Sequence, residues 1–344
     1  MGALFTGRTP SLEWADGERL HWNGHTWCGL TRLAAGADDS CIPRSVPTLA
    51  EGMRALGYRT VGVVANELMY RPGGFERGFD EWIKIAPEIV GFYQKVGLGS
   101  ARKAARRRSA KHVNGAVLKA LDEQPKDQPL FLYVHYIDVH EYAILGRPYV
   151  KSVEAFDASL GRLLDQLEAR GFLRDTLVVL TSDHGEALGE EHGLPSRGSH
   201  FGNPSFQPVL EVPLIASWRV AEDASGFVRS QDLYGLVLRA AGGRDTAPRD
   251  VAPDERFLSE HEYQTYRRGR WKSTRRRDGG AIALFDLDTD PGEVRNVAAE
   301  HPEILAEHRE RLDELTGELS ARGAQPTTLS SDDEKRLRLL GYIE

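Results

Sequence analysis

The 344 residues predict an α/β fold, a mostly parallel central sheet flanked by helices and followed by a small α+β lobe. Three observations carry that expectation. Apolar, β-branched runs recur at 58–65, 130–136, 176–181 and 212–218, with turns rich in glycine or polar residues around them. Helix-like segments stand between these runs, and apolar strands alternating with helices argue for parallel strands covered on both faces. After about residue 255 the alternation gives way to short polar stretches, to Ala283-Leu284-Phe285-Asp286-Leu287 and to one last helical segment. The expected domains are therefore 1–250 and a smaller unit at 251–344.

Taken in order, residues 49–56 read as a helix, with Pro47-Thr48 as its N-terminal punctuation. Residues 58–65 follow Gly57 as a buried strand, and 130–136 form the next. Residues 151–170 make a long amphipathic helix stopped by Gly171. Residues 176–181 and 212–218 are the third and fourth strands, and 231–241 is another helix. The small lobe ends in a helix over about 302–319. No internal repeat is evident.

Composition bounds the function. The hydrophobic and charged fractions, 40% and 28%, are those of a soluble globular protein. A net charge of −7 gives no general attraction to nucleic acid or anionic lipid. The basic run Arg102, Lys103, Arg106, Arg107, Arg108 and Lys111 wraps round most of a helix at helical spacing and reads as a solvated helix. No apolar run approaches the roughly 20 residues that span a bilayer. The N-terminus lacks a basic start followed by an apolar stretch, and two cysteines, Cys28 and Cys41, are too few for a disulfide framework. A reducing, cytoplasmic location is the expectation.

Three places offer chemistry. In Leu180-Thr181-Ser182-Asp183-His184-Gly185-Glu186 a buried strand delivers a carboxylate and an imidazole to a glycine turn, where ligands gather in such folds. A hard oxygen and a borderline nitrogen side by side can share one divalent cation, although such a turn is also a common structural device. In His135-Tyr136-Ile137-Asp138-Val139-His140, His135 still belongs to the strand and reads as a satisfied core group. His140 lies past the strand's end, and two adjacent strand ends would bring it near Asp183. His200, in Gly198-Ser199-His200, stands in a long loop of the kind that carries function, or is an incidental surface residue.

These segments together resemble the sulfatase family. Thr181-Ser182-Asp183-His184-Gly185-Glu186 with Leu188-Gly189-Glu190-Glu191-His192-Gly193 is similar to its central signature. So are Leu4-Phe5-Thr6-Gly7-Arg8, Pro47-Thr48-Leu49-Ala50-Glu51 with Gly57-Tyr58-Arg59-Thr60, and Gly74-Phe75-Glu76-Arg77-Gly78-Phe79-Asp80. His135 to His140, Val212-Pro213-Leu214-Ile215, and Leu284-Phe285-Asp286-Leu287 through Asp290-Pro291-Gly292-Glu293 and Asn296 resemble later elements, in order to Leu340-Gly341-Tyr342.

The resemblance implies an alkaline-phosphatase-like α/β sandwich and hydrolysis of sulfate esters by nucleophilic attack assisted by a metal. Asp183 and His184 would be metal ligands, His140 a histidine for substrate binding or the leaving group, and His200 a group facing the transferred centre. One divalent cation is implied, Ca²⁺ by family habit, with Mn²⁺ or Zn²⁺ open because of the imidazole. The partner would be a small-molecule or saccharide ester of sulfate or phosphate. The family's nucleophile and an acidic pair precede the Leu4–Arg8 run, so the expectation is a start further upstream than Met1. Cys41-Ile42-Pro43-Arg44 follows that run and places its arginine one position early, which excludes it as the nucleophile. Two other readings stay open: phosphoryl-transferring relatives such as phosphodiesterases, phosphonate monoester hydrolases and phosphoglycerol transferases, and an inactive fragment that keeps the fold.

Overall fold

A computed structural model describes residues 1–9, 42–66, 69–70, 73–86, 98–194, 205–217, 228–245, 247, 251–259, 263–276 and 279–321. His200, Cys28 and Cys41 lie outside the described residues. Among the described residues the helices are α1 (Gly2–Thr6), α2 (Leu49–Ala55), α3 (Leu98–Arg107), α4 (Ala110–Asp122), α5 (Tyr142–Leu145), α6 (Tyr149–Ala169), α7 (Gln207–Leu210), α8 (Asp232–Ala240) and α9 (Pro302–Ala321). The strands are β1 (Arg59–Val64), β2 (Glu81–Lys84), β3 (Leu130–His135), β4 (Val179–Thr181), β5 (Leu214–Ala216), β6 (Glu255–Ser259), β7 (Tyr263–Arg268), β8 (Trp271–Arg276) and β9 (Ala283–Asp286). No described helix is long and apolar enough to cross a membrane.

The centre is a parallel sheet in the order β2-β1-β3. Every residue of β1 is buried, because both faces of the strand are covered. On one face Val61, Val63 and Ala65 pack against Val113, Val117 and Leu121 of α4 and Leu163 and Leu167 of α6. On the other, Val64 joins Phe5, Ile42, Val46, Met69, Tyr70 and Phe75. Gly62 is opposed by Trp82 and by Tyr133, whose rings stack 6.2 Å apart. A Cβ at Gly62 would come within 2.3 Å of the Trp82 ring, so only glycine lets the indole lie over the strand. Helix α2 begins with a capping box: Thr48 Oγ1 accepts the Glu51 amide and the Glu51 carboxylate accepts the Thr48 amide.

β4 and β5 pair with each other, and they pair antiparallel. The 32 residues between Thr181 and Leu214 are long enough for a parallel return, so the antiparallel direction departs from the expected parallel one without being forced by the length of the connection. The last four strands form an antiparallel meander, β6-β7-β8-β9, against which α9 packs through Leu305, Leu312 and Leu315.

The basic run is not one solvated helix. It is divided between α3 and α4 at Ser109, and Arg108 turns inward to an ion pair with Glu141, both side chains fully enclosed. Arg102 donates from Nε to the Ile144 carbonyl at 3.1 Å. Two of the arginines thus fasten α3 to the segment after β3, a job that spacing along one helix could not reveal.

Candidate functional site

The turn after β4 is held by its own backbone and by one neighbour. Ser182 Oγ donates to the His184 carbonyl at 2.6 Å, and the His184 amide donates to Asp183 Oδ1 at 3.2 Å. The Gly185 amide donates to the Val209 carbonyl of α7 at 2.7 Å. A Cβ on Gly185 would stand 1.9 Å from the Pro208 carbonyl oxygen, so this approach requires glycine.

The protonation of the pair follows from its contacts. His184 Nδ1 lies 2.8 Å from the Gly185 carbonyl, which can only accept, so Nδ1 carries a ring proton. Its Nε2 lies 4.0 Å from Asp183 Oδ2. Burial pushes the Asp183 carboxyl up, but His184, His135 and the Met1 amino group outweigh it and hold Asp183 well below the usual carboxylate range. Both side chains stay about one-third open to solvent, 29% for Asp183 and 37% for His184.

A carboxylate beside an imidazole whose Nδ1 is engaged by a backbone carbonyl is a donor pair suited in kind to the divalent cation the resemblance implies. Among the described residues no group of three or more His, Cys, Asp or Glu has metal-holding geometry. The pair therefore fits such a cation as part of a larger donor set.

His135 was expected to be a satisfied core group. Instead its buried Nδ1 has no hydrogen-bond partner among the described residues, and burial lowers its pKa while the nearby Asp183 carboxylate works to raise it. It ends β3, opposite Val64 in β1. His140 lies half-buried just past the same strand, between two acids that are both committed to the helical layer. Asp138 Oδ1 accepts the Ala110 amide at the start of α4, and Glu141 pairs with Arg108. Asp183, His184 and His135 thus form one electrostatic group.

His192 and Glu293, both within motif segments, occupy a second cluster. The His192 Nδ1 accepts the Leu194 amide at 3.0 Å, so Nε2 carries the proton and faces Glu293 Oε2 at 3.6 Å. Lys272 Nζ lies 2.5 Å from Glu293 Oε1, 2.5 Å from the Ser205 carbonyl and 3.2 Å from Gln207 Oε1. Burial lowers the Lys272 pKa; it also works to raise that of Glu293, where His192 and Lys272 prevail and lower it. Nothing in the local sequence marked Lys272, which sits in an arginine-rich strand.

Comparison with known proteins identifies the chain's relatives. A family model described as Sulfatase matches residues 24–243. Arylsulfatase K of Bos taurus is 29% identical over 201 residues, which cover 47% of this chain and 36% of the relative. The chain spans about a third of the length of the first curated relatives it matches. A protein solved in complex with its substrate D-glucosamine-2-N,6-O-disulfate superposes with a TM-score of 0.58 at 15% identity, covering 97% of this chain and 88% of that one. Phosphonate monoester hydrolase of Agrobacterium radiobacter superposes with a TM-score of 0.60 at 17% identity, covering 92% and 85%. These likenesses establish the alkaline-phosphatase-like α/β fold.

Proposed function

The chain belongs to the sulfatase family, and from that premise we propose that Asp183 and His184 serve the metal-assisted hydrolysis of a sulfate ester. The observation that carries the reading is the geometry of the turn: the Asp183 carboxylate and the His184 imidazole stand 4.0 Å apart, partly open to solvent, with His184 Nδ1 engaged by the Gly185 carbonyl at 2.8 Å. Asp183 and His184 would hold the cation, which would supply neutralisation of the charge that develops on the ester oxygens. Ca²⁺ is the cation proposed, since the donor set is completed by oxygen in the family; Mn²⁺ and Zn²⁺ are the alternatives. His140 is proposed to bind the substrate or protonate the leaving group, and His200 to face the transferred centre. A saccharide or small-molecule sulfate is the proposed substrate, supported by the relative solved with a sulfated glucosamine.

Paired nitrophenyl sulfate and nitrophenyl phosphate assays of the full chain, with Ca²⁺ and with chelator, test this. Calorimetric binding of the same esters asks the question without requiring turnover. The expected result is cation-dependent binding that favours the sulfate and is lost in Asp183→Ala. Preference for the phosphate would support the second reading, a phosphonate or phosphate ester hydrolase, which the superposition on phosphonate monoester hydrolase favours. Neither binding nor cleavage of either ester would contradict both.

A further inference from the structure

Lys272 and Glu293 are charged and wholly enclosed, 0% and 1% exposed, and they lie in the last quarter of the chain, away from the Asp183-His184 turn in sequence. Their contacts nevertheless lead to it. The Glu293 carboxylate accepts the Gln207 amide through Oε2 at 2.7 Å, at the start of α7. Two residues on, the Val209 carbonyl accepts the Gly185 amide at 2.7 Å, and the Pro208 carbonyl abuts Gly185 so closely that no side chain fits there. The Glu293 backbone carbonyl accepts the Gly193 amide, again at 2.7 Å. A Cβ at Gly193 would lie 2.9 Å from that carbonyl and 2.7 Å from the next. One residue therefore grips both ends of the 185–193 segment: Gly193 directly, and Gly185 through α7.

We propose that Lys272 and Glu293 are positioning residues for the cation site, fixing the Asp183-His184 turn from the C-terminal lobe through α7 and Gly193. The inference rests on the reading of Asp183 and His184 as cation ligands. Stability alone does not explain the pair. A buried ion pair gains little or nothing over apolar residues of the same volume, whereas it fixes geometry through directional bonds. Lys272 donates to the Ser205 carbonyl and to Gln207 Oε1 while its charge pairs with Glu293 Oε1, which sets the height of 205–207 against β8. Glu293 reaches its place in the left-handed region, at φ 55°, a conformation disfavoured for a side-chain-bearing residue and held here by its contacts. Asp290 supports that turn by accepting the Val294 and Arg295 amides.

The test uses the full chain with Glu293→Gln, Lys272→Met, the double Lys272→Met/Glu293→Leu, and Glu255→Gln as control. Glu255 pairs with Arg311 and Tyr266 in the same lobe but takes no part in the clamp. Two quantities are read: Ca²⁺ affinity by calorimetry, and hydrogen exchange of peptides covering 183–194 in chelator. The expected result is a Kd raised about tenfold or more in the single and double variants. Exchange at 183–194 should rise with it, while the double variant regains most of the melting temperature the single variants lose. Glu255→Gln should lower the melting temperature and leave both readings unchanged. Wild-type exchange at 183–194 together with wild-type Kd in the folded double variant would overturn the positioning role. Altered exchange in a wild-type chain that binds no cation would overturn the cation reading and leave the clamp standing.

Discussion

Two clusters of charge, Asp183-His184 and Lys272-Glu293, show what burial does to the same chemistry. At Lys272-Glu293 both partners are enclosed, and the lysine's donors find a carboxylate, a backbone carbonyl and an amide oxygen. At Asp183-His184 the groups stand 4.0 Å apart, about one-third open, with the imidazole proton turned away to Gly185. The first cluster is closed on itself and can only fasten. The second leaves a carboxylate and an imidazole partly open on one turn, as an external cation would need. Sequence motifs contain members of both, so belonging to a motif does not separate a ligand from a fastener; the partners of each atom do.

Removing one partner from each cluster should break the comparison most sharply. Lys272→Met leaves the Glu293 carboxylate buried without its cation and should destabilise the fold by about 3–5 kcal/mol in denaturant unfolding. A loss below about 1 kcal/mol would mean the pair is not enclosed as described. The next largest effect lies on α9. His308 is buried against the Tyr266 ring with Nδ1 3.0 Å from Ser273 Oγ, and burial pushes its pKa down to about 4 from 6.5. Its folded form resists protonation, so the stability it contributes is present above pH 6.5 and is lost as pH falls towards 4. The loss amounts to up to about 3 kcal/mol. Melting curves of the wild type and His308→Gln should converge in shape across that window if the assignment fails.

Gly185→Ala tests the join between the clusters. Its Cβ would meet the Pro208 carbonyl, so the turn must shift, at a cost of about 1–3 kcal/mol and with loss of cation binding. An unchanged cation affinity would detach the turn from α7. The smallest effect belongs to the open cluster: Asp183→Asn removes a carboxylate that its neighbours hold ionised and should cost the metal-free protein about 1–2 kcal/mol, discounted for its partial exposure.

Much of the fold was legible because it is written in consecutive residues. The strands at 59–64 and 130–135 and the helices at 49–55 and 302–321 fall within a residue or two of where apolar periodicity and punctuation put them. The turn at 183–185 was legible for the same reason: strand, donors and glycine are adjacent. The antiparallel pairing of β4 with β5 was not, since an apolar run does not encode its direction and the connection from Thr181 to Leu214 is long enough for either. His135 was misread because alternation tells which face a residue is on and not what lies across from it. Lys272, Glu293 and His192 stand 21 to 101 residues apart, and a lysine amid arginines reads as solvated until its burial is seen. The basic run failed likewise, because Arg108 is buried by Glu141 from another segment.

The central claim is that Asp183 and His184 hold a divalent cation. A calorimetric Ca²⁺ titration of the full chain, repeated on Asp183→Ala after chelator treatment, tests it most directly. The account predicts saturable binding at one site in the wild type, weakened at least about tenfold by the substitution. Equal binding by the two proteins would contradict it.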